Sequence, residues 1–298
     1  DVCSSDLDRS LLTKRYTEES INFITKNKDN PFFLYLAHAM PGSTACPFSS
    51  SNFSGKSSNG PYGDAVEELD WSCGEINKTL KKLGIEEDTL VIWVSDNGAV
   101  HWEPPQGSNK PLKGWGYDTS EGAHRVPCIA YWPGKIPKGV VTDRLTTMMD
   151  ILPTAAKLAG TNPPSDRIID GHDICDVLHG KLELDSPYDK TGFFYYHMQQ
   201  LQAVRAGQWK LYLPLKYKLR NLTGEIEGSD GSYLRLYDVR NDIGETEEVS
   251  EKHPDVVRRL SAIAEKARRD LGDWDCQGAN QRLAGWVEHP TPRLVEIS

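Results

Sequence analysis

Residues 89–98 read TLVIWVSDNG. Leu90, Val91, Ile92, Trp93 and Val94 form an unbroken apolar run, rich in β-branched and aromatic side chains. That is the pattern of a strand buried on both faces. Ser95, Asp96, Asn97 and Gly98 follow at once, so the strand ends in a polar loop. In open α/β sheets, ligands gather beyond the carboxyl ends of the strands. Asp96 and Asn97 put two oxygen donors there, of the kind a hard divalent cation such as Ca2+ takes. The same four residues are ordinary turn formers. From these residues alone, both readings stand.

On the N-terminal side, Val66, Leu69, Cys73, Ile76, Leu80 and Leu83 recur every three or four residues, the stripe of an amphipathic helix. Asp64, Glu67 and Glu68 are expected in its first turn, where the helix dipole favours acids. Gly84 suits a left-handed cap at its end. Further back, FFLYLAHA (32–39) reads as another buried strand. On the C-terminal side, PCIAYWP (127–133) reads as a third. Strand, helix and strand in this order predict a parallel α/β sheet with helices on its faces.

The spacing predicts a further helix within 142–159, with Asp150 as its cap, Pro153 in the first turn and Gly160 at the end. From about Ser186 the pattern changes to short strands, FFYYH, LQAVRAGQWKLYL and LRLYDV, with Ala206 and Gly207 turning a hairpin. A final helix is expected over Pro254–Leu271. The fold class is therefore α/β followed by a small α+β unit, an antiparallel sheet with one helix. The division is 8–185 for the α/β part and 186–298 for the second domain.

Residues 1–7, DVCSSDL, lack any apolar period. They also lack the basic start and long apolar run of a signal peptide. They are what the end of a common sequencing-library adapter would encode, so they read as an artefact fused to a truncated gene. An ordinary frayed terminus is the alternative. With sheet strands missing, an exposed edge and apolar face would make the chain poorly soluble.

With 38% hydrophobic and 26% charged residues the chain is globular rather than disordered. A net charge of -9 argues against a nucleic-acid partner. No apolar run is long enough to span a membrane. The cysteines are scattered and form no CxxC pair, which argues against a zinc or redox motif.

Residues 114–137, GWGYDTSEGAHRVPCIAYWPGKIP, join a glycine-rich loop to the third strand. Asp118, Glu121, His124 and Arg125 cluster before it. Glu121 and Arg125 abut the apolar strand and need partners when buried; a pair between them would hold the loop in shape.

The segments PFFLYLAHAMP, YGDAVEELDWS, TLVIWVSDNG, EGAHRVPCIAYWPGKIP and MMDILPTAAKLAG, in this order, resemble the formylglycine-dependent sulfatases. These are the arylsulfatase branch of the alkaline-phosphatase-like superfamily. AVRAGQWKLY and LYDVRNDIGET resemble that family's C-terminal domain. The resemblance covers residues 8 to the end. It implies an alkaline-phosphatase-like sheet and hydrolysis of a sulfate ester, of a small molecule or a carbohydrate. It also implies a formylglycine nucleophile and Ca2+, with Mg2+ as a second candidate. It makes Asp96 and Asn97 two of the metal ligands and puts Glu121 and Arg125 on a loop that shapes the site. Periplasmic or secreted location follows by family habit.

The sequence departs from the family in three places. No C/S-x-P-x-R motif, the source of the nucleophile, occurs. Gly42 stands where a family His is expected, and Gly116 where a catalytic Lys is expected. His38 and Lys113 are the nearest substitutes, with a structural His and a solvated loop Lys as their plain alternatives. Trp115, Tyr117, Arg125 and His197 are candidates for substrate contact, with simple packing as the plain alternative for the two aromatics. His172 and Asp173 in DGHD read as a turn rather than a metal pair. Asn221 begins a glycosylation sequon. Two other functions fit the same residues: a non-catalytic relative that binds sulfated glycans, and a phosphodiesterase of the superfamily.

Overall fold

The computed structural model describes residues 8–42, 46–102, 106–181, 185–216, 233–283 and 285–290. Residues 1–7 and the Asn221 sequon lie outside the described residues.

Helix α1 (Leu12–Asn27) packs on α2 (Gly60–Lys82). Its buried positions are Thr13, Thr17, Ser20 and Ile24. The Thr17 hydroxyl lies 2.7 Å from the Thr13 carbonyl oxygen and 2.6 Å from the Ser72 hydroxyl. Ser20 donates to the Tyr16 carbonyl at 2.7 Å. Hydroxyls bonded back to the preceding turn are satisfied inside the packing.

The expected stripe of α2 is present, with Leu69 and Leu80 buried, although Val66 faces solvent. The helix starts earlier than its acidic residues suggested, so Asp64 and Glu68 are not in its first turn. They serve instead as acceptors for the preceding loop. The Asp64 carboxylate takes the backbone N–H groups of Gly55, Lys56 and Ser57 at 2.7, 3.0 and 2.7 Å. Those bonds, Ser57 first, hold it below the usual carboxylate range. Glu68 takes the N–H of Ser50 at 2.9 Å. Gly84 closes the helix as expected, with φ +71° and its N–H on the Lys81 carbonyl.

The 32–39 segment is extended, but it is not a buried strand. Its side chains alternate between half-buried and exposed, and Phe33 and Tyr35 are 67% and 73% exposed. Only one side of it is covered by α1, through Phe23 on Phe32 and Tyr16 on His38. Strands β1 (Val91–Val94) and β2 (Cys128–Tyr131) form a ladder that is antiparallel rather than parallel, with Val91 opposite Tyr131 and Val94 opposite Cys128. The chain between them returns through a loop containing the single helical turn Glu121–His124. Trp93, Ile129 and Tyr131 remain exposed, so neither strand is buried on both faces.

The helix expected within 142–159 shortens to α3 (Ile151–Leu158), preceded by the tight turn Met148–Asp150. The capping residue is Thr147 rather than Asp150: the two form a reciprocal box over the Met148–Asp150 turn, and the Asp150 side chain makes no cap bond to α3 itself. Fully buried, its carboxylate accepts from the Thr147 N–H (2.7 Å), the His172 N–H (2.7 Å) and the Tyr188 hydroxyl (2.6 Å). The DGHD stretch is thus an irregular loop folded over Asp150, with no regular turn at 170–173.

The C-terminal part matches its sequence pattern. Strands β3 (Phe193–His197), β4 (Gln200–Ala206), β5 (Trp209–Tyr212) and β6 (Arg235–Asp238) form an antiparallel sheet in that order. Gly207 turns the β4–β5 hairpin at φ +61°. Helix α4 (Pro254–Leu271) covers one face, packing Val256, Leu260, Ala264 and Ala267 on Leu201, Val204, Leu211 and Leu236. The other face carries Tyr195, Ala203, Tyr212 and Tyr237. It meets the loop that precedes β2.

Candidate functional site

Beyond β1 the SDNG loop is held by its own short bonds. The Ser95 hydroxyl donates to the Asn97 carbonyl at 3.0 Å, and the Asn97 N–H to Asp96 Oδ1 at 2.9 Å. Asn97 Nδ2 donates to the Gly98 carbonyl at 2.8 Å, which leaves Oδ1 as the atom a cation would meet. The Asp96 side chain is exposed.

Close backbone approach, rather than turn formation alone, explains the glycines. A Cβ at Gly98 would stand 1.7 Å from the Gly122 carbonyl oxygen. One at Gly116 would stand 2.5 Å from the Gly98 carbonyl oxygen, and one at Gly122 2.4 Å from that of Lys113. Where main chains touch this closely, only glycine fits. Three amides close the contact: Gly98 to the Ala123 carbonyl (2.8 Å), Gly116 to Ala99 (2.8 Å) and Gly122 to Lys113 (2.7 Å). Asn109 ties both loops, accepting from the Ala99 N–H and donating to the carbonyls of Ala99 and Gly114.

Behind this knot lies a buried charge cluster. Glu121 is paired, but not with Arg125. Its carboxylate meets Arg205 Nη1 at 2.7 Å, Lys210 Nζ at 3.1 Å and the Tyr195 hydroxyl at 2.7 Å. Arg125 is exposed. Burial pushes the Glu121 carboxyl up, but Lys210 and Arg205 outweigh it and bring it down to about 2. Lys210 also lies 3.3 Å from Glu245, which accepts from the Tyr212 hydroxyl. The sequence reading missed Asn109, Arg205, Lys210 and Glu245. A usable signal was present: Arg205 and Lys210 are charges inside strands whose neighbours, Val204, Ala206 and Leu211, are all apolar.

The remaining candidates fall as follows. His38 turns toward the helices, with Nε2 3.4 Å from the Ser72 hydroxyl and burial lowering its pKa. Gly42 has φ +63°, and a Cβ there would lie 2.8 Å from the Ala39 carbonyl oxygen. Lys113 Nζ sits over the Tyr237 ring at 5.3 Å. Trp115 packs on His101, with ring centroids 5.0 Å apart. His197 Nδ1 is 3.1 Å from the Tyr117 carbonyl oxygen. That contact joins the glycine loop to the end of β3.

The sulfatase family model matches residues 5–161. Mouse (Mus musculus) N-acetylgalactosamine-6-sulfatase is 42% identical over 206 residues, 68% of this chain and 38% of the relative. Human (Homo sapiens) steryl-sulfatase is 45% identical over 211 residues, 69% of this chain and 35% of the relative. A solved structure from work on the metabolism of multiple glycosaminoglycans by Bacteroides thetaiotaomicron superposes with a TM-score of 0.77 at 28% identity. It covers 88% of this chain and 55% of its own. The architecture is that of the alkaline-phosphatase-like enzymes. The chain belongs to the sulfatase family. It spans well under half the length of these curated relatives.

Among the described residues no three His, Cys, Asp or Glu side chains converge on a metal position. Asp96 and Asn97 fit a hard cation as two of the roughly six to eight oxygens that Ca2+ takes.

Proposed function

We propose that this chain is part of an enzyme that hydrolyses the sulfate ester of a sulfated carbohydrate. The observation that carries the reading is the Asp96–Asn97 pair, displayed beyond β1 on a loop whose backbone is locked by Gly98, Gly116 and Gly122. Asp96 and Asn97 would hold Ca2+, with Mg2+ as the alternative. When bound, the cation supplies charge neutralisation at the sulfate oxygens. The formylglycine nucleophile would come from a segment outside this sequence. The names of the relatives favour a sugar sulfate, with a steroid sulfate as the competitor. Export from the cytoplasm is proposed with the family. Among the described residues no helix is long and apolar enough to cross a membrane.

Calorimetric titration of the chain with Ca2+ tests the metal role. Asp96→Ala is expected to weaken binding at least about tenfold. Equal affinity in the two proteins removes the pair from the metal site. The 298 residues alone are expected to show no turnover on sulfate esters, and activity above background would refute the missing-nucleophile reading.

A second reading, a non-catalytic binder of sulfated glycans, is favoured by Gly42 and Gly116. Neither backbone position has room for the family's His or Lys without displacing a carbonyl. Retention of sulfated oligosaccharide by a full-length protein with no esterase activity would support it.

A further inference from the structure

Lys210 is closed to solvent, its ammonium included. That ammonium lies 2.8 Å from the Thr119 carbonyl oxygen, 3.1 Å from Glu121 and 3.3 Å from Glu245. The rings of Tyr195 and Tyr212 face it, with centroids at 4.1 and 4.9 Å. Apolar residues in place of the lysine and its two carboxylates together would hold a sheet as well, without the cost of drying charges. The lysine therefore calls for an explanation other than sheet stability.

The groups it touches supply one. Thr119 and Glu121 belong to the loop that also contains Gly116 and Gly122. Glu245, itself at φ +52°, lies on the loop-facing side of the sheet and accepts from the Glu121 N–H at 3.3 Å. Gln202 takes the Thr119 hydroxyl at 2.9 Å. Thus the C-terminal sheet and the 239–249 stretch hold residues 119–121 from outside. Two residues on, the Ala123 carbonyl accepts the amide of Gly98, next to Asn97.

We propose that Lys210 is a positioning residue. Through Thr119 and Glu121 it sets the height of the 116–123 loop, and through the Gly98–Ala123 bond it sets the aim of Asp96 and Asn97. The proposal rests on the metal reading of that pair only for its functional consequence.

Amide hydrogen exchange on the 298-residue chain tests it, with the Gly98, Gly116 and Gly122 amides as reporters and the amides of α4 as the reference. Lys210→Met keeps the stem and removes the charge. It is expected to speed the reporters at least about tenfold while α4 amides are unchanged. Tyr195→Phe removes one hydroxyl from Glu121 and no charge, so its folding is secure. It is expected to speed the same reporters about threefold. Leu260→Ala should do the opposite, speeding α4 and sparing the reporters.

Ca2+ titration of the Tyr195→Phe and Lys210→Met proteins adds a readout that plain stabilisation would not move: weaker affinity at unchanged helix content. The proposal is overturned if the reporters do not change in either variant. It is also overturned if α4 accelerates with them in Lys210→Met while Tyr195→Phe is silent. If the parent chain shows no Ca2+ affinity, the metal reading fails, and the exchange pattern still decides whether Lys210 holds the loop.

Discussion

A side chain at Gly116 would begin 2.5 Å from the carbonyl oxygen of Gly98, inside any tolerable contact. The obstacle is main chain, which cannot swing aside. Gly116→Lys and Gly98→Ala are therefore expected to destabilise the chain by about 2 kcal/mol or more, as forced overpacking does. Urea unfolding reads this directly. A Gly116→Lys protein with an unchanged midpoint would show that the loop has room after all, and would reopen Gly116 as a vacant catalytic position.

Asp150 predicts a loss of another kind. Its buried carboxylate accepts from Thr147, His172 and Tyr188. Asp150→Ala strands three donors and opens the capping box of the Met148–Asp150 turn that leads into α3. A cost of about 3 kcal/mol is expected, seen as a lower Tm, with His172 and Tyr188 losing their fixed stacking. Asp150→Asn, which keeps an acceptor oxygen, should lose less.

The charge cluster predicts an acid limb in stability. Lys210 and Arg205 hold Glu121 at about 2, against an ordinary value of 4.5. The folded chain therefore binds that proton less readily than the unfolded one. Its contribution is complete above about pH 5 and is lost as pH falls through 4.5 toward 2. Glu121→Gln should flatten this limb and lower stability at neutral pH, because Lys210 and Arg205 are left buried with less countercharge. His38 adds a shallower slope of the same sign. Burial favours its neutral ring, so stability falls as pH drops below 6.5. Denaturant midpoints from pH 3 to 8 would show both.

Exposed apolar side chains predict self-association. Phe33, Tyr35, Trp93 and Ile129 all stand open, on or beside extended backbone. The chain expressed alone should bind a hydrophobic dye and sediment as a mixture of sizes. Replacing Phe33, Tyr35 and Ile129 by Lys should reduce both. A monodisperse parent chain that melts cooperatively would contradict this.

The parts of the fold that sequence made legible were those with a clean period. The α2 stripe, the Pro254–Leu271 helix and the hairpin at Gly207 all sit where apolar spacing or a glycine required. Helix α1 gave no such signal, because Thr13, Thr17 and Ser20 form most of its buried stripe. Strand direction was not readable either. The return from β1 to β2 through Glu121–His124 is long enough for either direction, and an apolar run carries no sign of direction. At the site, Asp96 and Asn97 stood out because they end a strand. The partner of Glu121 did not. Arg125 was the near choice, while the real partners are 84 and 89 positions away.

That separation has an evolutionary consequence. A recombination event that exchanged the C-terminal sheet between relatives would cut between Glu121 and the residues that neutralise it. The hybrid would inherit a carboxylate sealed among tyrosines, or Arg205 and Lys210 left with Glu245 as the remaining carboxylate, unless the incoming segment carried matching charges. Arg205, Lys210 and Glu245 therefore bind the two halves into one heritable unit, and co-inheritance of all four residues is what comparison of intact and chimeric relatives should reveal.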